Sequence, residues 1–147
     1  MRVFIVEDNP RMLNTLAMLL DGEPSVELTG TASSAEEALE AVPKVRPDIL
    51  ISDIGLPGLS GVEGAEQFQA RAPAVPVVML TVHQDTDTIF RALCAGASGY
   101  LLKTATPEAI VGAIAEVRAG GAAMDAQIAR RVLTLFTKMA VPKADYG

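Results

Sequence analysis

The amino-acid sequence predicts an α/β domain with a doubly wound, five-stranded parallel sheet and helices on both faces. Three observations support this fold class. Short apolar runs recur along the chain, as they do in strands buried on both faces of a parallel sheet. Each run is followed by a segment whose apolar residues recur at helical spacing. The connections between these segments are short, which is typical of folds that alternate strands and helices.

Five segments are predicted to form strands. Most of them are apolar throughout, whereas the second alternates with polar neighbours, which favours a half-buried edge strand. In chain order, the predicted strands span residues 3–6, 26–32, 48–52, 76–80 and 98–102.

Five helical segments follow these strands, and each carries residues that start or end a helix. Asn9 is an N-cap before Pro10, and Ser34 with Glu37 forms a capping box. Pro43 is expected to end the second helix, and glycines are expected to end most of the others. In chain order, the predicted helices span residues 10–22, 35–42, 61–70, 86–95 and 107–119.

A sixth helix is predicted from Asp125 onward. Its apolar stripe consists of Ile128, Val132, Leu135 and Met139. Because five helices already cover the predicted sheet, this stripe is expected to pack on a partner or a neighbouring domain. The domain is therefore placed at residues 1–122, followed by a linker helix and tail at 123–147.

Composition limits the classes of function that the chain can have. A chain of 147 residues, half of them hydrophobic, suits one folded domain. The net charge is −6 and the only adjacent basic pair is Arg130-Arg131, so this chain alone is not expected to bind DNA. The single cysteine, Cys94, is expected in the core and fits a reducing compartment. No apolar run is long enough to span a membrane, and a cytoplasmic location is expected.

Polar residues follow four of the predicted strands where each one ends. Glu7 and Asp8 follow the first strand, Asp53 the third, Thr81 the fourth and Lys103 the fifth. Because the carboxyl ends of parallel strands lie at one edge of a sheet, these side chains are expected to meet there.

Three carboxylates at one edge need a counter-charge. Two of them within ~4 Å of each other would repel by about 4 kcal/mol at an effective dielectric constant near 20. Oxygen ligands without histidine or cysteine favour Mg²⁺ over zinc or copper. With a metal, a lysine and a hydroxyl around it, Asp53 is predicted to be a nucleophile in phosphoryl transfer, which would give an aspartyl phosphate.

As a set, these motifs resemble the response-regulator receiver domain of two-component systems, over residues 2–122. The matching parts are the acidic pair, the loop 53–58, Thr81 and the segment 96–103. The glycine pair and the sixth helix that follow resemble regulators of the LuxR/FixJ type, whose output domain is a helix-turn-helix. The resemblance implies a flavodoxin-like strand order, 2-1-3-4-5.

The resemblance also implies roles in phosphorylation. Asp53 would accept a phosphoryl group from a sensor histidine kinase. Asp8 and Asp53 would bind Mg²⁺ directly, Gly55 through its backbone carbonyl and Glu7 through water. Lys103 would hold a phosphate oxygen. The chain would not be an enzyme beyond assisting its own phosphorylation and a slow autodephosphorylation.

Further roles concern switching and output. Thr81 and Tyr100 would move on phosphorylation and change the face formed by the fourth helix, fifth strand and fifth helix. Gly55 and His83 occupy the positions that would tune the lifetime of the phosphate. A homodimer on phosphorylation, and DNA binding through a LuxR-type domain outside this chain, are expected. Thr104 stands where the family usually has proline, which leaves a cis or a trans peptide open.

Two other functions stay open. One is a receiver-like interaction module that works without phosphorylation. The other is a phosphatase with an aspartate nucleophile, which would need a second aspartate as general acid where this chain has Gly55.

Overall fold

The computed structural model describes residues 1–56, 60–82 and 85–138. In these ranges the chain forms one sheet of six strands in the order β2-β1-β3-β4-β5-β6, and every neighbouring pair is parallel. The strands are β1 (Arg2–Val6), β2 (Glu27–Ala32), β3 (Ile49–Ser52), β4 (Val77–Thr81), β5 (Gly99–Leu102) and β6 (Ala123–Met124). The helices are α1 (Pro10–Asp21), α2 (Ala35–Val45), α3 (Gly61–Arg71), α4 (Thr86–Cys94), α5 (Pro107–Arg118) and α6 (Ala126–Lys138).

Helices cover both faces of the sheet, so the predicted doubly wound α/β fold is confirmed. Successive residues of β1 point to opposite faces: Ile5 belongs to the core that α1 and α5 cover, and Phe4 belongs to the core that α2, α3, α4 and α6 cover. Both side chains are almost fully buried. This alternation is the geometry of a strand with a core on each side. Within the described ranges, no helix is long and apolar enough to cross a bilayer.

The sixth strand was not predicted. Ala123 and Met124 pair with Gly99 and Tyr100 of β5 and extend the sheet beyond the expected five strands. A strand of two residues is too short to show any periodicity, so sequence patterns do not reveal it.

The stripe of α6 packs on its own domain, and the prediction that it would need a partner is wrong for its first two turns. Ile128 is fully buried in the same core as α4, and Val132 packs against that core. The extra strand widens the sheet, and α6 covers the added width beside α4. Leu135 is half-buried, and Met139 lies outside the described residues. The domain boundary after residue 122 stays a prediction.

Two local details of α2 differ from expectation. Pro43 does not end α2, which continues to Val45 and is capped by Arg46 in the left-handed conformation, with φ 53°. Proline at this position removes one helical N–H and crowds the carbonyl four residues before it, yet α2 continues for two residues beyond it. The Ser34 hydroxyl accepts a hydrogen bond from Glu37 N, as expected of an N-cap. The Glu37 carboxylate, however, accepts hydrogen bonds from the backbone N–H and the hydroxyl of Ser33 rather than from Ser34.

Cys94 is exposed at the end of α4, so its predicted place in the core is wrong. The apolar face of α4 is carried instead by Ile89 and Ala92, both fully buried.

Candidate functional site

The carboxyl ends of four adjacent strands form the candidate site. Val6 pairs with Ser52, so β1 and β3 end side by side and the acids that follow them are neighbours. Thr81 pairs with Leu102 in the same way, which brings Lys103 to this edge of the sheet. The expectation that the polar strand ends meet is confirmed for the two acids after β1, for Asp53 and for Lys103.

Three carboxylates are clustered at this edge. Glu7, Asp8 and Asp53 each offer an oxygen within 4.8 Å of the others. Glu7 and Asp53 are buried, whereas Asp8 is exposed and leaves the cluster open to solvent. Oxygen-only ligands around an accessible position suit Mg²⁺, which keeps several of its waters. The residues present therefore fit the magnesium ion that the resemblance implies.

Lys103 is the counter-charge of the cluster. Its Nζ lies 2.6 Å from Glu7 Oε1 and 3.2 Å from Asp53 Oδ2. Burial lowers the pKa of Lys103, but the hydrogen bond to Glu7 and the charge of Asp53 outweigh it, and the pKa is raised overall. The ammonium therefore stays charged at neutral pH.

Glu7 is held in place on both sides. One oxygen binds Lys103, and Asn9 N donates to the other, Oε2, at 3.2 Å. Burial raises the pKa of Glu7, although the bonds from Lys103 and Asn9 lower it and the nearby Asp53 charge raises it further. A buried carboxylate beside two other acids is costly to ionise, which makes this site receptive to a further cation.

Each carboxylate oxygen of Asp53 accepts a hydrogen bond. Gly55 N donates to Oδ1 at 3.3 Å, and Lys103 donates to Oδ2 at 3.2 Å. Its backbone N–H still pairs with Val6 O, so the residue is anchored to β1. These bonds fix the position of the Asp53 carboxylate at the edge of the sheet.

Thr81 and Tyr100 are both fully buried close to the cluster. Lys103 N donates to Thr81 O at 2.8 Å, which couples the ends of β4 and β5. Burial, with added repulsion from Asp85 and Asp53, raises the pKa of Tyr100. The Tyr100 side chain is thus enclosed in the core, and its movement on phosphorylation stays a prediction.

Of three remaining points from the sequence, the structure decides one and leaves two as predictions. The peptide after Lys103 is trans. His83 lies outside the described residues, so its assignment is a prediction still. The carbonyl of Gly55 as a metal ligand is also still a prediction.

Two features of the site were missed from the sequence. The lysine lies closer to Glu7 than to Asp53, and spacing along the chain contains no signal for that preference. Asn9 was identified only as a helix cap. Its backbone N–H also holds Glu7, and the two-residue separation could have suggested this contact.

Comparison with known proteins agrees with this geometry. The sequence profile of the response regulator receiver domain matches residues 3–115. The transcriptional regulatory protein MctR of Rhizobium johnstonii is 35% identical over 82% of this chain and 56% of its own length. The DNA-binding transcriptional activator DevR/DosR of Mycobacterium tuberculosis is 31% identical over 90% of this chain and 61% of its own length. The chain thus spans little more than half the length of these relatives.

Solved structures show the same fold. A two-component response regulator of the LuxR family from Aurantimonas has a TM-score of 0.88 and 30% identity, covering 93% of this chain and 98% of its own. The receiver domain of the putative response regulator NarL from Mycobacterium tuberculosis has a TM-score of 0.78 and 28% identity, covering 81% of this chain and 96% of its own.

Proposed function

The chain belongs to the response regulator receiver domain family, and on that premise we propose that it is a switch controlled by phosphorylation of Asp53. One observation carries the proposal: Lys103 Nζ lies 3.2 Å from Asp53 Oδ2, inside a cluster of three carboxylates. This arrangement combines a fixed nucleophile, a fixed positive charge and a set of magnesium ligands. Phosphoryl transfer needs little else, because its catalysis is mostly positioning and charge neutralisation.

The chemical step is a displacement at phosphorus. An ionised oxygen of Asp53 attacks the phosphorus of a phosphohistidine on a sensor kinase, or of an acyl phosphate. A new P–O bond forms, and the old P–N or P–O bond breaks with its electron pair leaving on the departing group. Lys103 balances charge on a phosphoryl oxygen. Magnesium, when bound by Asp8, Asp53, the Gly55 carbonyl and Glu7 through water, would supply further positive charge.

The switching step follows from what surrounds the product. Thr81 would bind a phosphoryl oxygen through its hydroxyl, and Tyr100 would be held inward behind it. Both residues lie in strands next to α4 and α5, so the face formed by α4, β5 and α5 reports the state of Asp53. Gly55 and His83 would set how easily water reaches the phosphate.

The output proposed for the complete protein is transcriptional. MctR is named a transcriptional regulatory protein and DevR/DosR a DNA-binding transcriptional activator. By analogy, this receiver would control a LuxR-type DNA-binding domain, with dimer formation on phosphorylation, in the cytoplasm. This chain alone is not expected to bind DNA at physiological salt.

Turnover as a phosphatase is not favoured. That chemistry needs an acid positioned to protonate the leaving group, and the position two residues after Asp53 is Gly55. A signalling role needs no such acid, because the phosphoryl group is kept on the protein.

Intact mass spectrometry with acetyl phosphate and Mg²⁺ tests the proposal. The wild-type chain should gain the mass of one phosphoryl group, and Asp53→Asn should gain none. Asp21→Asn, the same change at an exposed residue at the end of α1, is the matched control and should be phosphorylated like wild type. An adduct that persists in Asp53→Asn would place the acceptor elsewhere. A wild-type chain that gains no mass and does not respond to beryllium fluoride would instead favour a module that works without phosphorylation.

A further inference from the structure

Asp125 forms a hydrogen bond with the strand that carries the site lysine. Its Oδ2 accepts from Leu102 N at 2.6 Å, and Leu102 is the last residue of β5, directly before Lys103. Asp125 lies between β6 and α6, beyond the last residue that the family profile matches. The segment that follows the family core is therefore bonded to the edge of the candidate site.

The shape of the sheet explains why this bond is needed. Lys103 N points toward β4, where it donates to Thr81 O. Leu102 N points to the other side of β5, where β6 has already ended at Met124. Leu102 is only 6% exposed, so an unpaired N–H there would be costly. The Asp125 carboxylate takes the place of the missing strand carbonyl.

Asp125 also begins α6. Its backbone carbonyl accepts from Ala129 N at 2.9 Å, the first hydrogen bond of that helix. One turn further, Ile128 is fully buried against the sheet. The same residue therefore holds β5 through its side chain and the first turn of α6 through its backbone.

From these two bonds of Asp125, we propose that it is a positioning residue for Lys103 and that it couples the occupancy of the phosphorylation site to α6. This inference rests on the proposed function of Asp53. When a phosphoryl group draws Lys103 toward it, Leu102 and the bonded Asp125 follow, and α6 changes its packing at Ile128. Conversely, a docked α6 keeps the end of β5 in place, and Lys103 is already positioned when the phosphoryl group arrives.

The test compares Asp125→Ala with Asp125→Asn, which keeps a carbonyl oxygen as acceptor. Ser34→Ala is the matched control, because it removes the N-cap of α2, a side-chain acceptor of one backbone N–H away from β5. Amide exchange measured by NMR without ligand should be about tenfold faster at Leu102 in Asp125→Ala, the factor expected for loss of one charge-assisted hydrogen bond. Asp125→Asn should speed this exchange by only about threefold, because a neutral acceptor keeps roughly half the strength of the bond, and Ser34→Ala should leave it close to wild type.

Titration with beryllium fluoride and Mg²⁺ then tests the coupling. The dissociation constant should rise about tenfold in Asp125→Ala, if positioning of Lys103 is lost with the bond. It should rise by about threefold at most in Asp125→Asn, which keeps a neutral acceptor, and stay near wild type in Ser34→Ala. Binding should also shift the amide signals of Ile128 and Val132 in wild type and leave them unchanged in Asp125→Ala. A variant that loses only stability would bind beryllium fluoride normally once folded.

The outcomes separate this inference from the proposed function. Equal beryllium fluoride affinity in wild type and Asp125→Ala, or equal signal shifts in α6, overturns the coupling and leaves the role of Asp53 intact. A wild-type chain that binds no beryllium fluoride overturns the role of Asp53 and the coupling together. Unchanged amide exchange at Leu102 in Asp125→Ala would show that Asp125 does not protect this amide, and it would overturn the proposal whatever the affinity for beryllium fluoride.

Discussion

Lys103 Nζ lies 0.6 Å closer to Glu7 Oε1 than to Asp53 Oδ2, at 2.6 Å against 3.2 Å. The lysine is thus first the partner of the buried glutamate and only second that of the proposed phosphoacceptor. Lysine and a metal ion would neutralise the same carboxylates. The positive charge of the lysine therefore weakens the binding of the metal ion to the cluster, although both charges favour the negatively charged phosphoryl group.

Replacing Lys103 should separate these two effects. In Lys103→Met the carboxylates lose their resident cation, and Mg²⁺ should bind at least about tenfold more tightly, since a nearby unit charge at this kind of site is worth more than the ~1.4 kcal/mol that a factor of ten requires. Beryllium fluoride should bind at least about tenfold more weakly, because its negative charge loses a partner. Calorimetric titration measures both constants. Lys44→Met, at an exposed lysine in the last turn of α2, is the control, and a magnesium affinity equal to wild type in Lys103→Met would contradict the prediction.

Glu7 should make stability depend on pH when no metal is bound. Burial raises its pKa above the ordinary 4.5. Between 4.5 and that higher value the folded chain holds a proton that the unfolded chain has released, so the free energy of unfolding falls as the pH rises. In Glu7→Gln the side chain at position 7 does not titrate, so this contribution is absent. The difference in unfolding free energy, wild type minus Glu7→Gln, should therefore decrease with pH across this window.

Urea unfolding in EDTA at a series of pH values measures that difference. The exposed residue Glu66, changed to glutamine, is the control variant. Saturating Mg²⁺ should reduce the decrease, because the metal stabilises the ionised carboxylate. A difference that grows with pH would mean that the bond from Lys103 outweighs burial and that the pKa of Glu7 is lowered.

Much of this site could be predicted because it depends on topology. Asp53 follows an apolar run, and parallel strands bring their ends to one edge whatever the details of packing. The choice of Glu7 as the nearer partner of Lys103 could not be predicted, since it depends on side-chain placement within one or two ångströms. The bond from Asp125 to Leu102 depends on a strand of two residues, which leaves no pattern in the sequence.

In the fold, too, some features could be predicted from the sequence and others could not. Ile128 was recognised as part of an apolar stripe, which periodicity is enough to show. Its burial in this domain rather than against a partner depends on the width of the sheet, and that width changed with β6. Pro43 was predicted to end α2 from its own chemistry, but the helix continues to Val45 although proline supplies no N–H to it.

Tyr100 should titrate only at strongly alkaline pH. Its pKa is raised from 10.0 by burial, with repulsion from Asp85 and Asp53. Its contribution to stability is present below pH 10 and is lost as the pH rises toward the folded-state pKa. The chain has two tyrosines, so Tyr146→Phe leaves Tyr100 as the only one. Phenolate absorbance of that variant should appear above pH 10 and together with unfolding. Absorbance with a midpoint near 10 in the folded state would show that the ring is accessible.

Two glycines should respond to alanine in opposite directions. A Cβ at Gly30 would lie 2.8 Å from the Phe4 ring, which is almost fully buried between β1 and α2 and has little room to move. Gly30→Ala should therefore lower the free energy of unfolding by about 1–3 kcal/mol, the usual cost of overpacking a core. Gly112 lies inside α5 with nothing within 4 Å of its would-be Cβ, so Gly112→Ala should raise it by about 0.5–1 kcal/mol. Urea unfolding measures both, and each variant is the control for the other because the added group is the same. A stabilised Gly30→Ala would mean that the Phe4 ring can turn away without loss of packing.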